Sequence, residues 1–198
     1  EGSGRWRICL HMWWMSQQLA IKANVVLMSA VLHSVSMLWP WTLQLLLQMT
    51  FLRLPPDLQS YSAAISSCRP RIALQLLEEL AMRSLQPNLV TYNATVRTCE
   101  LSSSWPLAIS LLVDIKRQKL QPNIITYNSA IKACEVAGQW RLAMELLQLL
   151  KKEKLRPSVV TFSSMISTCE KATQWQRALQ LLHLARQRDA ANVVTIAA

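Results

Sequence analysis

Four cysteines, Cys68, Cys99, Cys134 and Cys169, could form disulfides or hold zinc, and their spacing argues against both. The last three stand 35 residues apart, each followed by an acid: Glu100, Glu135 and Glu170. Neighbouring packed helices lie about 8–10 Å apart, whereas a disulfide needs Cα atoms within about 7 Å. No two of the chain's 5 cysteines share a C-x-x-C spacing, so zinc is not expected either. They read as small core residues of a reducing compartment. His11, His33 and His183 have no acid or nucleophile at a recurring spacing. No H-x-E accompanies a C-x-x-C, so the zinc deaminase signature is missing. Catalysis has no support, and no cofactor or metal is expected. What does recur is hydrogen-bonding chemistry. Asn93, Asn128 and Ser163 close T-[YF]-[NS] triplets, and Asn88, Asn123 and Ser158 each follow a proline. An amide offers both donor and acceptor. The second set stands just before a helix, where such side chains also cap.

These residues keep their places because one 35-residue unit is written three times, from Gln86, Gln121 and Arg156. Trp105, Trp140 and Trp175 keep the step, as do Ala108, Ala143 and Ala178 three residues later. A fixed period of this size marks a solenoid, in which each unit buries its apolar face against its neighbours. Within the second copy Tyr127, Ala130, Ile131 and Cys134 form an i, i+3, i+4, i+7 stripe, which predicts a first helix. Gly138 supplies the turn. Leu142, Ala143, Leu146, Leu147 and Leu150 form the stripe of a second helix, and Pro157 cannot continue it. The Trp that opens each second helix is expected to fill the gap beside the small Ala. No strands are expected, and the fold class is an all-α solenoid of helix–turn–helix repeats.

The register runs along the whole chain. Residues 1–24 read as a partial (half) repeat and 25–57 as a degenerate repeat. Residues 58–88 form a shortened repeat, with four residues lost between Cys68 and Ala73. Residues 89–123, 124–158 and 159–192 are repeats, and 193–198 are the truncated start of another. Both ends cut through a repeat and there is no initiator Met, so the sequence reads as a fragment or an imperfect gene model.

The chain carries a net charge of +10, which favours a polyanionic partner and salt-dependent binding. No charged residue stands between Lys22 and Arg53, but Pro40 and several polar residues interrupt that stretch. A membrane span needs about 20 apolar residues, so buried repeats are expected there instead. The Arg-containing, acid-poor start fits the remnant of a transit peptide.

The run P-[NS]-h-h-T-[YF]-[NS], the Cys-acid pair, the Trp-x-x-Ala and the 35-residue period together resemble the pentatricopeptide repeat family, in its form with uniform 35-residue repeats. The tetratricopeptide repeat is excluded, because its period is 34 and its W-x-x-L-G-x-x-Y signature is absent here. The resemblance implies a right-handed superhelix whose first helices line an inner groove. It implies that the groove binds single-stranded RNA, one base per repeat. It further implies a role in stabilising, processing or translating organellar transcripts, in a chloroplast before a mitochondrion. Other RNA-processing proteins are possible partners, and a monomer is expected. The alternative is a protein–protein scaffold that holds a peptide in the same groove.

In that family the triplet-closing residue and the last residue of each repeat read the base. Carried onto this sequence, the pairs are Ser29 with Asp57, Ser62 with Asn88, Asn93 with Asn123, Asn128 with Ser158, and Ser163 with Asn192. The family's pairing rule implies G, A, C or U, C, and A, from 5′ to 3′. Val26, Val90, Ile125 and Val160 take the position that packs against base faces, which Gln59 breaks in the shortened repeat. Lys171 alone fills the position that meets phosphate, because Leu101 and Val136 stand there in the other copies.

Overall fold

The computed structural model describes residues 39–51 and 55–196. The partial repeat 1–24, together with Val26 and Ser29, lies outside the described residues. Among the described residues all regular structure is helical. In chain order the helices are α1 (Trp39–Phe51), α2 (Leu58–Ser67), α3 (Pro70–Met82), α4 (Leu89–Thr98), α5 (Trp105–Arg117), α6 (Ile124–Val136), α7 (Trp140–Lys152), α8 (Val159–Lys171) and α9 (Trp175–Ile196). A short 3-10 helix, Glu100–Ser102, separates α4 from α5.

The chain divides after Thr98 into two compact units. In the first, α2 packs against α1, α3 and α4, and α3 also touches α4. Leu46, Met49, Tyr61, Ile65, Leu76 and Leu80 are buried in its core. In the second, α6 packs against α5, α7 and α8, and α8 also meets α7 and α9. First helices therefore stack directly on first helices within each unit. The four cysteines are buried and form no disulfide. Ala73, Ala108 and Ala143 are fully buried. A side chain no larger than a methyl group at this slot suits close packing of one helix against the next.

Both kinds of turn follow from backbone chemistry. Gly138 takes a φ of +64° after α6, and Ser103 and Thr173 occupy the same slot in the flanking repeats at +52° and +57°. Ser84, Lys119 and Lys154 do the same after α3, α5 and α7. At five of these turns the next amide reaches back to a carbonyl five residues earlier, as in Leu155 to Leu150 and Gln139 to Cys134. These are Schellman ends, which satisfy orphan carbonyls.

Two features differ from the sequence reading. The first helix of the 89–123 repeat ends at Thr98, and Glu100–Ser102 completes it as a 3-10 turn. Its counterparts α6 and α8 run 13 residues. Three consecutive serines, Ser102 to Ser104, follow here, and serine favours turns over helix interiors. Ser102 and Ser104 hydrogen-bond to each other. Secondly, α9 runs unbroken to Ile196, through the expected repeat end at Asn192. The earlier repeats carry Pro87, Pro122 and Pro157 just before their last residue, where this one has Ala191. Without the proline nothing prevents the helix from continuing.

Candidate nucleic-acid interface

The residues that close each repeat cap the next first helix. Asp57 accepts from the Ser60 amide at 2.8 Å at the start of α2. Asn88 accepts from the Thr91 amide at 2.9 Å at the start of α4. Asn123 and Ser158 form capping boxes with Thr126 and Thr161 at the starts of α6 and α8. A cap satisfies one or two of the four N-terminal amides that a helix leaves unpaired. The same slot thus has a structural role in every repeat where it is described as a loop residue.

Capping does not take these residues away from the surface. Asn88 is exposed, and its cap uses the carbonyl oxygen, leaving the Nδ2 group at the surface. Asp57, Asn123 and Ser158 are half-buried.

The triplet-closing residues lie one turn into the first helices. Ser62 and Asn128 are half-buried, Ser163 is exposed, and Asn93 is half-buried and engaged in polar contact. Two of the expected pairs are brought together within their units. Asn128 Nδ2 lies 3.4 Å from Ser158 Oγ. Ser62 and Asn88 are joined through Thr91, whose hydroxyl is 3.2 Å from Ser62 Oγ and 3.0 Å from Asn88 Oδ1. Thr161 plays the same part for Asn128 and Ser158, at 2.6 Å and 3.1 Å. Thr91 and Thr161 are fully buried. In the sequence the triplet threonine stands out only as a register marker. Its signal was its recurrence one turn after a cap-forming residue, the spacing of a capping box.

Next to these pairs stand exposed apolar side chains. Val90, Ile125 and Val160 are 66%, 57% and 57% exposed, each at the second position of a first helix. They come from the same slot in three repeats. Gln59, in the shortened repeat, is exposed as well.

Lys171 lies at the end of α8 and reaches Glu135 of α6 at 3.2 Å. Glu135 also accepts from the Ser167 hydroxyl at 2.9 Å. The expected phosphate contact is therefore already paired with an acid, and its first evident task is to tie consecutive first helices together. Such a pair is half-exposed and worth under about 1 kcal/mol.

Nothing points to chemistry elsewhere among the described residues. No cluster of three or more His, Cys, Asp or Glu there could hold a metal ion. No described helix is long and apolar enough to cross a membrane. Burial pushes the Cys134 thiol up to about 11, which leaves it protonated and unreactive at neutral pH.

The sequence profile of the pentatricopeptide repeat domain matches residues 110–172, and that of the single PPR repeat matches residues 160–189. Among solved structures, the pentatricopeptide repeat protein PPR10 in complex with an 18-nt psaJ RNA element has a TM-score of 0.74. It is 25% identical, over 93% of this chain and 28% of that one. PPR10 from maize gives a TM-score of 0.71 at 24% identity, over 93% and 27% of the two chains. The PPR domain of Arabidopsis thaliana protein-only RNase P 1, in complex with tRNA, gives 0.70 at 14% identity, over 85% and 91%. This chain spans little more than a quarter of the length of PPR10. No curated protein sequence matches it. Residues 110–189 are thus matched as pentatricopeptide repeats, and the described fold is similar to that of solved pentatricopeptide repeat proteins.

Proposed function

We propose that this chain binds single-stranded RNA, one base per repeat, and has no catalytic activity of its own. The observation that carries the reading is the pairing of two surfaces in three successive repeats. Val90, Ile125 and Val160 are apolar yet left exposed by folding. Each stands three residues before a polar triplet-closer: Asn93, Asn128 or Ser163. An unpaired base offers an apolar face and a hydrogen-bonding edge, and that combination is what such a slot complements. A peptide groove would call for apolar or aromatic residues at the polar slots. The complexes of PPR10 with an 18-nt RNA and of the RNase P 1 repeat domain with tRNA support the same reading. The surplus of 10 positive charges suits a polyanion.

The reading pairs on which this rests are Ser62 with Asn88, Asn93 with Asn123, Asn128 with Ser158 and Ser163 with Asn192, together with Ser29 and Asp57. By the family's habit the bound RNA is an organellar transcript, chloroplast before mitochondrion, which the chain stabilises or helps to process or translate with other RNA-processing proteins.

Selection of bound RNA from a random pool tests binding and the repeat code together. An enriched motif that follows the reading pairs is expected. Titration of that motif at two salt concentrations should show affinity falling steeply with salt. Absence of binding by the folded protein at micromolar concentration, or binding indifferent to salt, overturns the proposal.

A further inference from the structure

The buried threonine that bridges a reading pair carries more than a helix cap. The geometry points to Thr161 as a positioning residue that fixes which way the Asn128 amide faces, and thereby makes its repeat discriminate cytosine from uracil. This inference rests on the RNA reading above and adds to it a residue outside the reading pair.

The argument starts from proton counting. The Asn128 oxygen can only accept, and Thr161 Oγ lies 2.6 Å from it, so the single hydroxyl hydrogen of Thr161 is given to Asn128 Oδ1. Thr161 Oγ also accepts from the Ser158 amide at 3.0 Å. Ser158 Oγ stands 3.1 Å away and supplies the remaining hydrogen. Ser158 Oγ in turn accepts from the Thr161 amide at 3.3 Å and from Asn128 Nδ2 at 3.4 Å. Every hydroxyl hydrogen in this group is thereby committed. Thr161 is fully buried, so water does not compete for its hydroxyl.

The result is an Asn128 side chain with its oxygen turned toward α8. Its Nδ2 group has two hydrogens, of which Ser158 uses one at long range. The other is an N–H donor on half-buried Asn128, one turn from exposed Ile125. Cytosine offers acceptors there, at N3 and O2. Uracil presents an N3–H, donor against donor, at the central position of its edge. An asparagine free to rotate could turn its oxygen outward and accept from uracil instead. Holding the oxygen inward removes that option, and a buried threonine that no base touches does the holding.

A related construction appears in the other unit. Thr91 is fully buried, gives its one hydroxyl hydrogen to Asn88 Oδ1 at 3.0 Å, and has Ser62 Oγ 3.2 Å away. Two independent repeats thus place the threonine between the members of a reading pair.

The test uses the whole chain and the RNA motif selected by the wild type, with cytosine, uracil, adenine or guanine at the position facing Asn128. Thr161→Val keeps the shape and removes the hydroxyl; Thr161→Ser restores it. The preference for cytosine over uracil should fall about tenfold in Thr161→Val. It should be kept by Thr161→Ser, with preferences at neighbouring positions unchanged in both. Thr91→Val, which frees the Asn88 amide, should weaken the preference for adenine at the position facing Ser62 and Asn88 only, and it carries the test if Thr161→Val does not fold. Equal loss of affinity for all four bases, or an unchanged cytosine preference in a folded, RNA-binding variant, shows that the threonine is a cap and nothing more. That result overturns this inference while leaving the RNA reading intact. Failure of the wild type to bind RNA overturns both.

Discussion

The Arg177 guanidinium of α9 lies 4.7 Å from the centroid of the Trp140 ring of α7, with Arg141 at 5.4 Å from the same ring. The tryptophan that opens this second helix is thus gripped by cations from its own repeat and the next. The sequence suggests a buried filler beside Ala143, but the ring is only half-buried. Trp140→Ala should therefore cost about 1–2 kcal/mol, the scale of partly desolvated cation–π contacts plus some apolar area. That is below the roughly 3–5 kcal/mol of a fully buried ring. Urea denaturation measures the difference, and RNA base preference should not change. A loss of preference without a loss of stability would place this tryptophan at the RNA instead.

Tyr61 and Tyr127 occupy one slot in two repeats and should respond differently to loss of the hydroxyl. Tyr61 donates to Glu79 at 2.9 Å. Tyr127 has a buried hydroxyl that makes no well-formed hydrogen bond, with the Lys116 ammonium as its polar neighbour. Leu149 stands six residues beyond Ala143, where Glu79 stands six beyond Ala73. Tyr61→Phe should cost about 1–2 kcal/mol, because it removes a hydrogen bond to a charged acceptor. Tyr127→Phe should cost less than about 0.5 kcal/mol, since its hydroxyl has only a weak contact with Lys116 to lose. Phe162 already fills the slot in the next repeat. Equal losses in thermal melts would contradict this account.

The same Tyr61 contact gives a pH dependence. Burial first, then the hydrogen bond to Glu79, pushes its phenol from 10.0 up to about 12. The folded state therefore holds this proton more tightly than the unfolded chain does. Its contribution is complete below pH 10 and is lost as pH rises toward 12. Stability measured by urea denaturation should fall over that range in the wild type, and less steeply in Tyr61→Phe.

Thr173 takes the left-handed turn conformation at φ +57° that Gly138 occupies one repeat earlier. A β-branched residue there carries a steric cost of about 1 kcal/mol or more. Thr173→Gly should raise the melting temperature by a few degrees, the gain exceeding the extra chain entropy of glycine. A lowered melting temperature would mean that the Thr173 side chain stabilises the turn by other contacts.

Thiol counting checks the stacking geometry. Cys68, Cys99, Cys134 and Cys169 are buried and form no disulfide. Thiols should titrate in equal number with and without reductant after denaturation. In the native protein at pH 8 they should react slowly, since burial raises the Cys68, Cys134 and Cys169 thiols. Fast labelling in native buffer would show that the repeats open.

Exchanging a reading pair separates base reading from capping. Asn128→Ser with Ser158→Asn recreates the residue types of Ser163 and Asn192. Asparagine and serine both cap in this chain, at Asn123 and Ser158, so stability should change by less than about 1 kcal/mol. RNA selection should shift the facing base from cytosine toward adenine, by about 1–3 kcal/mol of preference. Identical motifs from wild type and double variant would leave these residues as caps alone.

The sequence by itself determined the repeat period, the two helices per repeat, the buried cysteines and the turn at Gly138. Each of these is local: an apolar stripe at helical spacing, a proline that ends a helix, a glycine that admits positive φ. The positions of the expected reading residues were legible for the same reason, since recurrence marks them even where their role is not visible. Tertiary structure decided what depends on neighbours. Trp140 is half-buried in part because Arg177, 37 residues away in the chain, covers its ring. Lys171 is paired because stacking of α8 on α6 brings Glu135 within reach. Thr161 gained a partner in Asn128 only when consecutive first helices were set side by side, 33 residues apart in the chain and 2.6 Å apart in space. Hydrogen-bond direction depends on distances of a few tenths of an ångström between side chains of different repeats, and no spacing along the chain encodes those distances.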